Sequence, residues 1–219
     1  MLQRMVGQCW HCGQSGVYQC GCCTVCFQDL PRAPPRNLRP AQALDYCRTW
    51  LAAMYYQAPI DYWMYQYKFY GQYNLAQAFA PLVSAQVLAF HKATQRCLPG
   101  LLVPVPMSNA RWRRRGYNQA RTLCQAISCV LGIPFVDSLV VNPRAPALIQ
   151  HRLSAREREQ TLSQRFLVRQ VIDVSHVAVI DDVITTGSTL NAAALALLEA
   201  GVDEVSGWAL AYTPAQVTD

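Results

Sequence analysis

The chain has 219 residues, 52% of them hydrophobic and 15% charged, which leaves room for one domain of ordinary size plus a small appendage and excludes a disordered chain. No apolar run approaches the roughly 20 residues of a membrane-spanning helix, and no signal-peptide core precedes Cys9, so a cytoplasmic protein with no membrane span is expected. Formal net charge is +6, and Lys68 and Lys92 are the only lysines among the 19 basic residues; such an arginine excess suits polyanions such as phosphates or nucleic acid, although solubility alone also accounts for a charge of this size.

Residues 1–30 contain six cysteines. The spacing Cys9-x2-Cys12-x10-Cys23-x2-Cys26 makes two CxxC knuckles. Each knuckle presents two thiolates on one side of a tight turn, and two together complete a tetrahedral zinc site. With few apolar residues nearby, a structural Zn²⁺ would supply much of the folding energy of this module. The register is open, because Cys20-x2-Cys23 is also a CxxC, Cys22 could substitute, and His11 is an outside candidate. Disulfides are the alternative, disfavoured in a reducing cytosol. Residues 31–40 are proline-rich and mark a boundary between a zinc-binding module, 1–35, and a second domain, 41–219.

Past the boundary, residues 44–50 suggest a helix and residues 52–56 a strand. Pro59 opens a helix that runs to Gly71. A longer helical stretch follows, from Asn74 to Cys97, kinked or split at Pro81. The many tyrosines between Tyr55 and Tyr73 either stack on bases or pack at the core edge.

Residues 101–106 read as a buried strand ending in a proline-rich turn. A loop after it, with Ser108 and Asn109, could meet a pyrophosphate through its backbone. Arg111, Trp112, Arg113, Arg114 and Arg115 come next, then Tyr117. Four arginines around a tryptophan can grip phosphates and stack on a base; the bland reading is a solvated basic turn. Leu123, Cys124, Ile127, Val130 and Leu131 form one stripe of a helix that begins at Ala120 and stops before Gly132 and Pro134. Residues 135–141 suggest another strand. The polar, arginine-rich stretch 142–165, with His151 and Arg165, reads as a loop or lid.

Strands at 166–169, at 177–180 and from Val205 to Tyr212, alternating with helices, imply an α/β fold with a parallel sheet. The densest signal is at 177–189. Val177–Ile180 form a short buried strand, Asp181 and Asp182 sit where it should end, and Thr185, Thr186, Gly187, Ser188 and Thr189 make a small hydroxyl-rich loop. A helix follows, with Leu190, Ala194, Leu197 and Leu198 on one face. Unpaired N–H groups at a helix start attract a phosphate, Gly187 lets the backbone approach it, and the hydroxyls add donors. The acidic pair would instead accept from adjacent ribose hydroxyls or hold a hydrated Mg²⁺. Ligands of parallel sheets lie beyond the carboxyl ends of the strands, where Asp181, Ser108 and Arg111 should converge.

The 177–189 stretch resembles the PRPP-binding signature of type I phosphoribosyltransferases, with apolar strand, Asp-Asp and Thr-Thr-Gly-x-Thr in register. The resemblance implies that Asp181, Asp182, Val183 and Thr185 to Thr189 bind PRPP with Mg²⁺, with Ser108 and Asn109 on the pyrophosphate. Asp181 and Asp182 would be the catalytic pair if a transfer occurs.

Over nearly its whole length the chain resembles the ComF family of competence-associated proteins. The matching pieces are the two cysteine pairs with Phe27 to Pro31 behind them, Tyr67 to Gly71, Val103 to Pro106, Arg115 to Gln119, the set Gln150, Leu153, Arg158 and Phe166, and the 177–189 motif. Thr161 departs from the family, which more usually has Asn there. The resemblance implies a zinc-binding N-terminus on a phosphoribosyltransferase-like domain, and a role in natural transformation or use of external DNA. Arg111 to Arg115 and Tyr117 would then contact single-stranded DNA. An active phosphoribosyltransferase, or a zinc-dependent adaptor docking a DNA-uptake helicase or recombination loader, are the other readings.

Overall fold

The structure, a computed structural model, describes residues 4–39, 45–145 and 164–214. Its centre is a four-stranded parallel sheet of β3 (Thr49–Tyr55), β8 (Glu204–Tyr212), β7 (His176–Ile184) and β4 (Leu101–Pro104), in that order. Phe135 extends the β4 edge through a single parallel bridge to Leu102. Among the described residues no helix is long and apolar enough to cross a membrane.

Alternation along the strands sorts the core into two layers. Leu51, Leu102, Ala178, Ile180 and Trp208 face α2 (Ile60–Phe69), α3 (Leu75–Thr94) and α5 (Gln119–Leu131). Trp50, Val103, Val177, Val179 and Ala209 share the opposite layer with α6 (Ser188–Glu199). Near-continuous apolar runs, rather than alternating ones, mark strands covered on both faces. Each such large side chain, fully buried, contributes about 1.5–3 kcal/mol.

Several local expectations change. The helix predicted over residues 44–50 does not form in its described part: residues 45–48 are irregular and Thr49 already begins β3. Pro81 does not split α3, which continues because Ala78, Phe79, Ala80, Leu82 and Val83 around it are all buried. The run from Asn109 to Arg115 is a helix, α4, rather than a loop or basic turn; Ser108 caps it by accepting from the Arg111 N–H. The strand at 166–168, β6, pairs antiparallel with β5 (Leu139–Val141) in a separate ribbon and does not join the parallel sheet. Short apolar runs carry no information about the direction of their partner, so pattern alone placed β6 wrongly.

At the N-terminus, β1 (Arg4–Gln8) and β2 (Ser15–Gln19) form a hairpin, followed by α1 (Thr24–Gln28). This segment packs on α2: the Trp10 and Trp63 rings meet edge to face at 6.2 Å, and buried Cys20 and Cys22 belong to the same apolar cluster as Trp63. Trp10 lies so close over Gly21 that a Cβ there would come within 2.4 Å of the indole. The proline-rich stretch runs along the edge of β3, with Ala33 N–H donating to the Ala53 carbonyl and Leu38 N–H to that of Trp50.

Candidate functional site

β7 runs beyond its apolar stretch as far as Ile184, so Asp181 and Asp182 lie within the strand and not after it. Both line a cleft of about 500 Å³ at the carboxyl edge of the sheet. One Asp181 oxygen accepts the Asp182 N–H at 2.8 Å. Asp182 pairs with Lys68 at 3.2 Å, with both side chains largely shielded from solvent. Burial, followed by repulsion from Asp182, lifts the Asp181 carboxyl to about 7, against the pull of the Asp182 N–H, Lys68 and Arg165.

The turn after β7 leads straight into α6. Gly187 takes a left-handed φ of +77°, and a Cβ there would lie 2.9 Å from the Trp50 ring and 3.0 Å from Arg39 Nη1. Both conditions demand glycine. The Arg39 guanidinium stacks 4.9 Å over Trp50 and donates to the Thr186 carbonyl at 2.6 Å. Arg39 also meets Asp45 at 3.6 Å, and Asp45 in turn accepts from the Asn191 amide at 2.9 Å. The turn is thus held from behind by residues remote in sequence. Thr185, Thr189 and Val183 line the cleft. Thr186, Gly187 and Ser188 do not: the Thr186 and Ser188 hydroxyls lie 3.0 Å apart, and the Ser188 N–H donates to the Thr186 hydroxyl at 3.4 Å.

Across from the acids, Lys68, Arg111, Arg114, Arg115 and Arg165 bring five cations to the cleft. Burial works against the charge on Arg115 and Arg165, and Asp182 and Asp181 respectively restore part of it. Arg115 donates to Gln119 at 3.2 Å, but its buried Nε has no partner among the described residues. Ser108 lines the cleft; Asn109 lines an adjoining groove together with Asn142 and Arg169. Trp112, half exposed, and Arg113 lie outside the cleft. Tyr117 goes to the core edge: its hydroxyl donates to the Tyr67 carbonyl, its ring meets those of Tyr67 and Tyr73 edge-on, and burial pushes its hydroxyl to about 12.

The four cysteines of the first register converge. The sulfur atoms of Cys9, Cys12, Cys23 and Cys26 all lie within 4.8 Å of one another, and those of Cys12 and Cys23 are 3.8 Å apart. Tetrahedral thiolates around one metal ion sit about 3.8 Å from each other, given a metal–sulfur distance of about 2.3 Å. Burial disfavours the Cys9 thiolate, but the N–H groups of Cys12, Cys23 and His11 outweigh it and bring the thiol to about 6. Cys20 and Cys22 stand outside the cluster, and burial raises them to about 11 and about 12. The arrangement is a four-cysteine cluster that could bind a metal.

Sequence reasoning missed Lys68 as a partner of Asp182, and Arg39, Asp45 and Asn191 as supports of the turn. Lys68 carried two signals, being one of only two lysines in an arginine-rich chain and lying in the Tyr67-to-Gly71 stretch that resembles the ComF family. Arg39 carried none. Residues of the expected lid from 146 to 163, including Gln150, His151, Leu153, Arg158 and Thr161, lie outside the described residues.

A parallel sheet whose strand ends present an acidic pair, a hydroxyl turn at a helix start and a cationic rim is a phosphoribosyltransferase-like domain. No family model matches the chain. Among known proteins, the DNA utilization protein YhgH of Salmonella typhimurium (strain LT2) is 32% identical to it over 94% of this chain and 97% of its own. Competence protein F of Haemophilus influenzae is 32% identical over 93% of this chain and 83% of its own, and the competence protein ComFC of Streptococcus pneumoniae 31% identical over 71% and 64%. The chain belongs to the ComF family of competence proteins.

Proposed function

We propose that this protein binds PRPP with Mg²⁺ in the cleft and handles single-stranded DNA in the cytoplasm during natural transformation or the use of external DNA. The observation that carries the first part is the cleft itself: two adjacent carboxylates, with Thr185 and Thr189 beside them, share it with five cationic side chains. Thr185 and Thr189 would donate to the 5′-phosphate. Asp181 and Asp182 would accept from the ribose hydroxyls. Ser108, with Arg111, Arg115 and Arg165 around it, would hold the pyrophosphate, and the unpartnered Arg115 Nε is a buried donor for such a ligand. The DNA role is supported by the names of the relatives, which speak of competence and DNA utilization, and by the basic helix α4. Zn²⁺ suits the four thiolates, whose spacing matches a structural site.

Calorimetric titration of PRPP with Mg²⁺ tests the reading. The wild type should bind, and Asp181→Asn with Asp182→Asn should weaken binding at least about 30-fold, since hydrogen bonds to charged groups contribute about 1.5–3 kcal/mol each. An absence of heat with the wild type would remove the PRPP proposal.

A catalysed transfer is the second reading, favoured by an Asp181 carboxyl poised near neutrality. It would release pyrophosphate from PRPP when the right acceptor is present. No release across free bases and nucleotides would count against it.

A further inference from the structure

The solvent face of α2 is unusual for a soluble helix. Tyr62 is 59% exposed, Tyr65 50%, Phe69 45% and Tyr70 61%. Trp63, Met64 and Tyr67 already satisfy the core, so the exposed rings are surplus to folding. Tyr62, Tyr65 and Phe69 sit at helical spacing on one side, and Tyr70 follows as the residue that ends the helix; Tyr65 is centred 5.1 Å from Phe69 and 5.6 Å from Tyr70. The face then runs into the basic helix: the guanidinium groups of Arg114 and Arg115 lie 5.5 and 5.2 Å from the Phe69 ring. Both arginines also line the cleft, as does Lys68, the residue before Phe69.

We propose that the exposed rings of α2 form a stacking track for the bases of single-stranded nucleic acid, with α4 gripping the backbone beside it. The proposal rests on the single-stranded DNA role put forward above, and gives it a surface. Two features favour nucleic acid over a protein partner. Every exposed large apolar residue of α2 and α4 is aromatic, including Trp112 at 50% exposure, and none is aliphatic. Bases stack on rings, whereas a partner helix also packs on Leu, Ile and Met. The flank is cationic, with Arg111, Arg113, Arg114 and Arg115, and α2 offers Asp61 as its one acidic residue, at the far end of the track. A track of rings beside a row of cations is how sequence-tolerant single-strand binders are built.

The test is fluorescence anisotropy with an oligothymidylate of about 20 nucleotides, on the full metal-loaded chain. Tyr65→Ala with Tyr70→Ala should weaken binding by roughly 10-fold or more, from the loss of stacking on each base. The slope of affinity against salt should stay unchanged, because no phosphate contact is lost. Tyr65→Phe with Tyr70→Phe should bind like the wild type, since the rings remain. An oligonucleotide of abasic sites should not distinguish wild type from the alanine variant. Alanine variants that melt like the wild type and bind the oligonucleotide equally well would overturn the track while leaving the DNA role intact. Failure of the wild type to bind would overturn both. Unchanged oligonucleotide binding with impaired transformation in cells would assign the face to a protein partner and overturn the proposal.

Discussion

A carboxylate within a largely buried parallel strand destabilises the fold unless its charge is offset, and for Asp181 the offset is partial. Burial and Asp182 raise it to about 7, from about 3.9 in an unfolded chain. Below about pH 4 both states are protonated and no penalty applies. Between pH 4 and 7 the native state holds the extra proton, so stability falls as pH rises, and above 7 the loss is complete. Asp181→Asn should therefore melt several degrees higher than wild type at pH 8, from up to about 4 kcal/mol of relieved charge burial. The gap should shrink toward pH 4 in thermal melts, and the same variant should lose PRPP. A variant no more stable than wild type at pH 8 would mean that Lys68 and Arg165 already neutralise the site. The motif around Asp181 was legible in the sequence because strand, acids and turn are contiguous. Lys68 was not legible as the partner of Asp182, since nothing in chain order announces an ion pair between residues 114 positions apart.

Among the elements, the turn between β7 and α6 is the most constrained. Its glycine has a positive φ and faces the Trp50 ring and Arg39 with no space for a Cβ. Gly187→Ala should lower stability by about 1–3 kcal/mol through backbone strain and displacement of Trp50, read as a fall in melting temperature. PRPP affinity should fall with it, because the Thr186 carbonyl that Arg39 holds moves with the backbone. An alanine variant with unchanged melting and titration would show the turn to be pliable. Elements with strong local signals were read correctly in the main: the apolar run of β7 and the stripe of α5 identify themselves by period, although Val130, expected on that stripe, is half exposed near the helix end. The helical state of residues 109–115 did not, because a row of arginines has no apolar period. The clues were at its ends, in Ser108 as cap and Gly116 as stop. The antiparallel ribbon of β5 and β6 was hidden for another reason, since pairing direction is decided by tertiary contacts.

For the molecule as a whole, the N-terminal segment packs Trp10 against Trp63 and gathers four cysteines that could bind a metal. If the four thiolates hold Zn²⁺, the segment has little apolar core of its own to fall back on. Chelation, or Cys23→Ser, should then lower the melting temperature and shift tryptophan emission to the red as Trp10 and Trp63 become wet. Identical melting and emission after the metal is removed would show that apolar docking alone suffices. Composition pointed to a cysteine module and a proline-rich divider, but not to the divider's course along β3. Backbone pairing such as that of Ala33 and Leu38 leaves no trace in residue type.

That course has a practical meaning. Among the described residues, every side chain that lines the cleft comes from residue 68 or later, so a shortened chain starting at residue 45 would keep all of those groups. It would still lack Arg39, and with it the guanidinium that fastens the Thr186 carbonyl and roofs Trp50. Deleting the leading segment would unlatch the turn between β7 and α6 from a distance, and impaired PRPP affinity in such a fragment would say nothing about zinc.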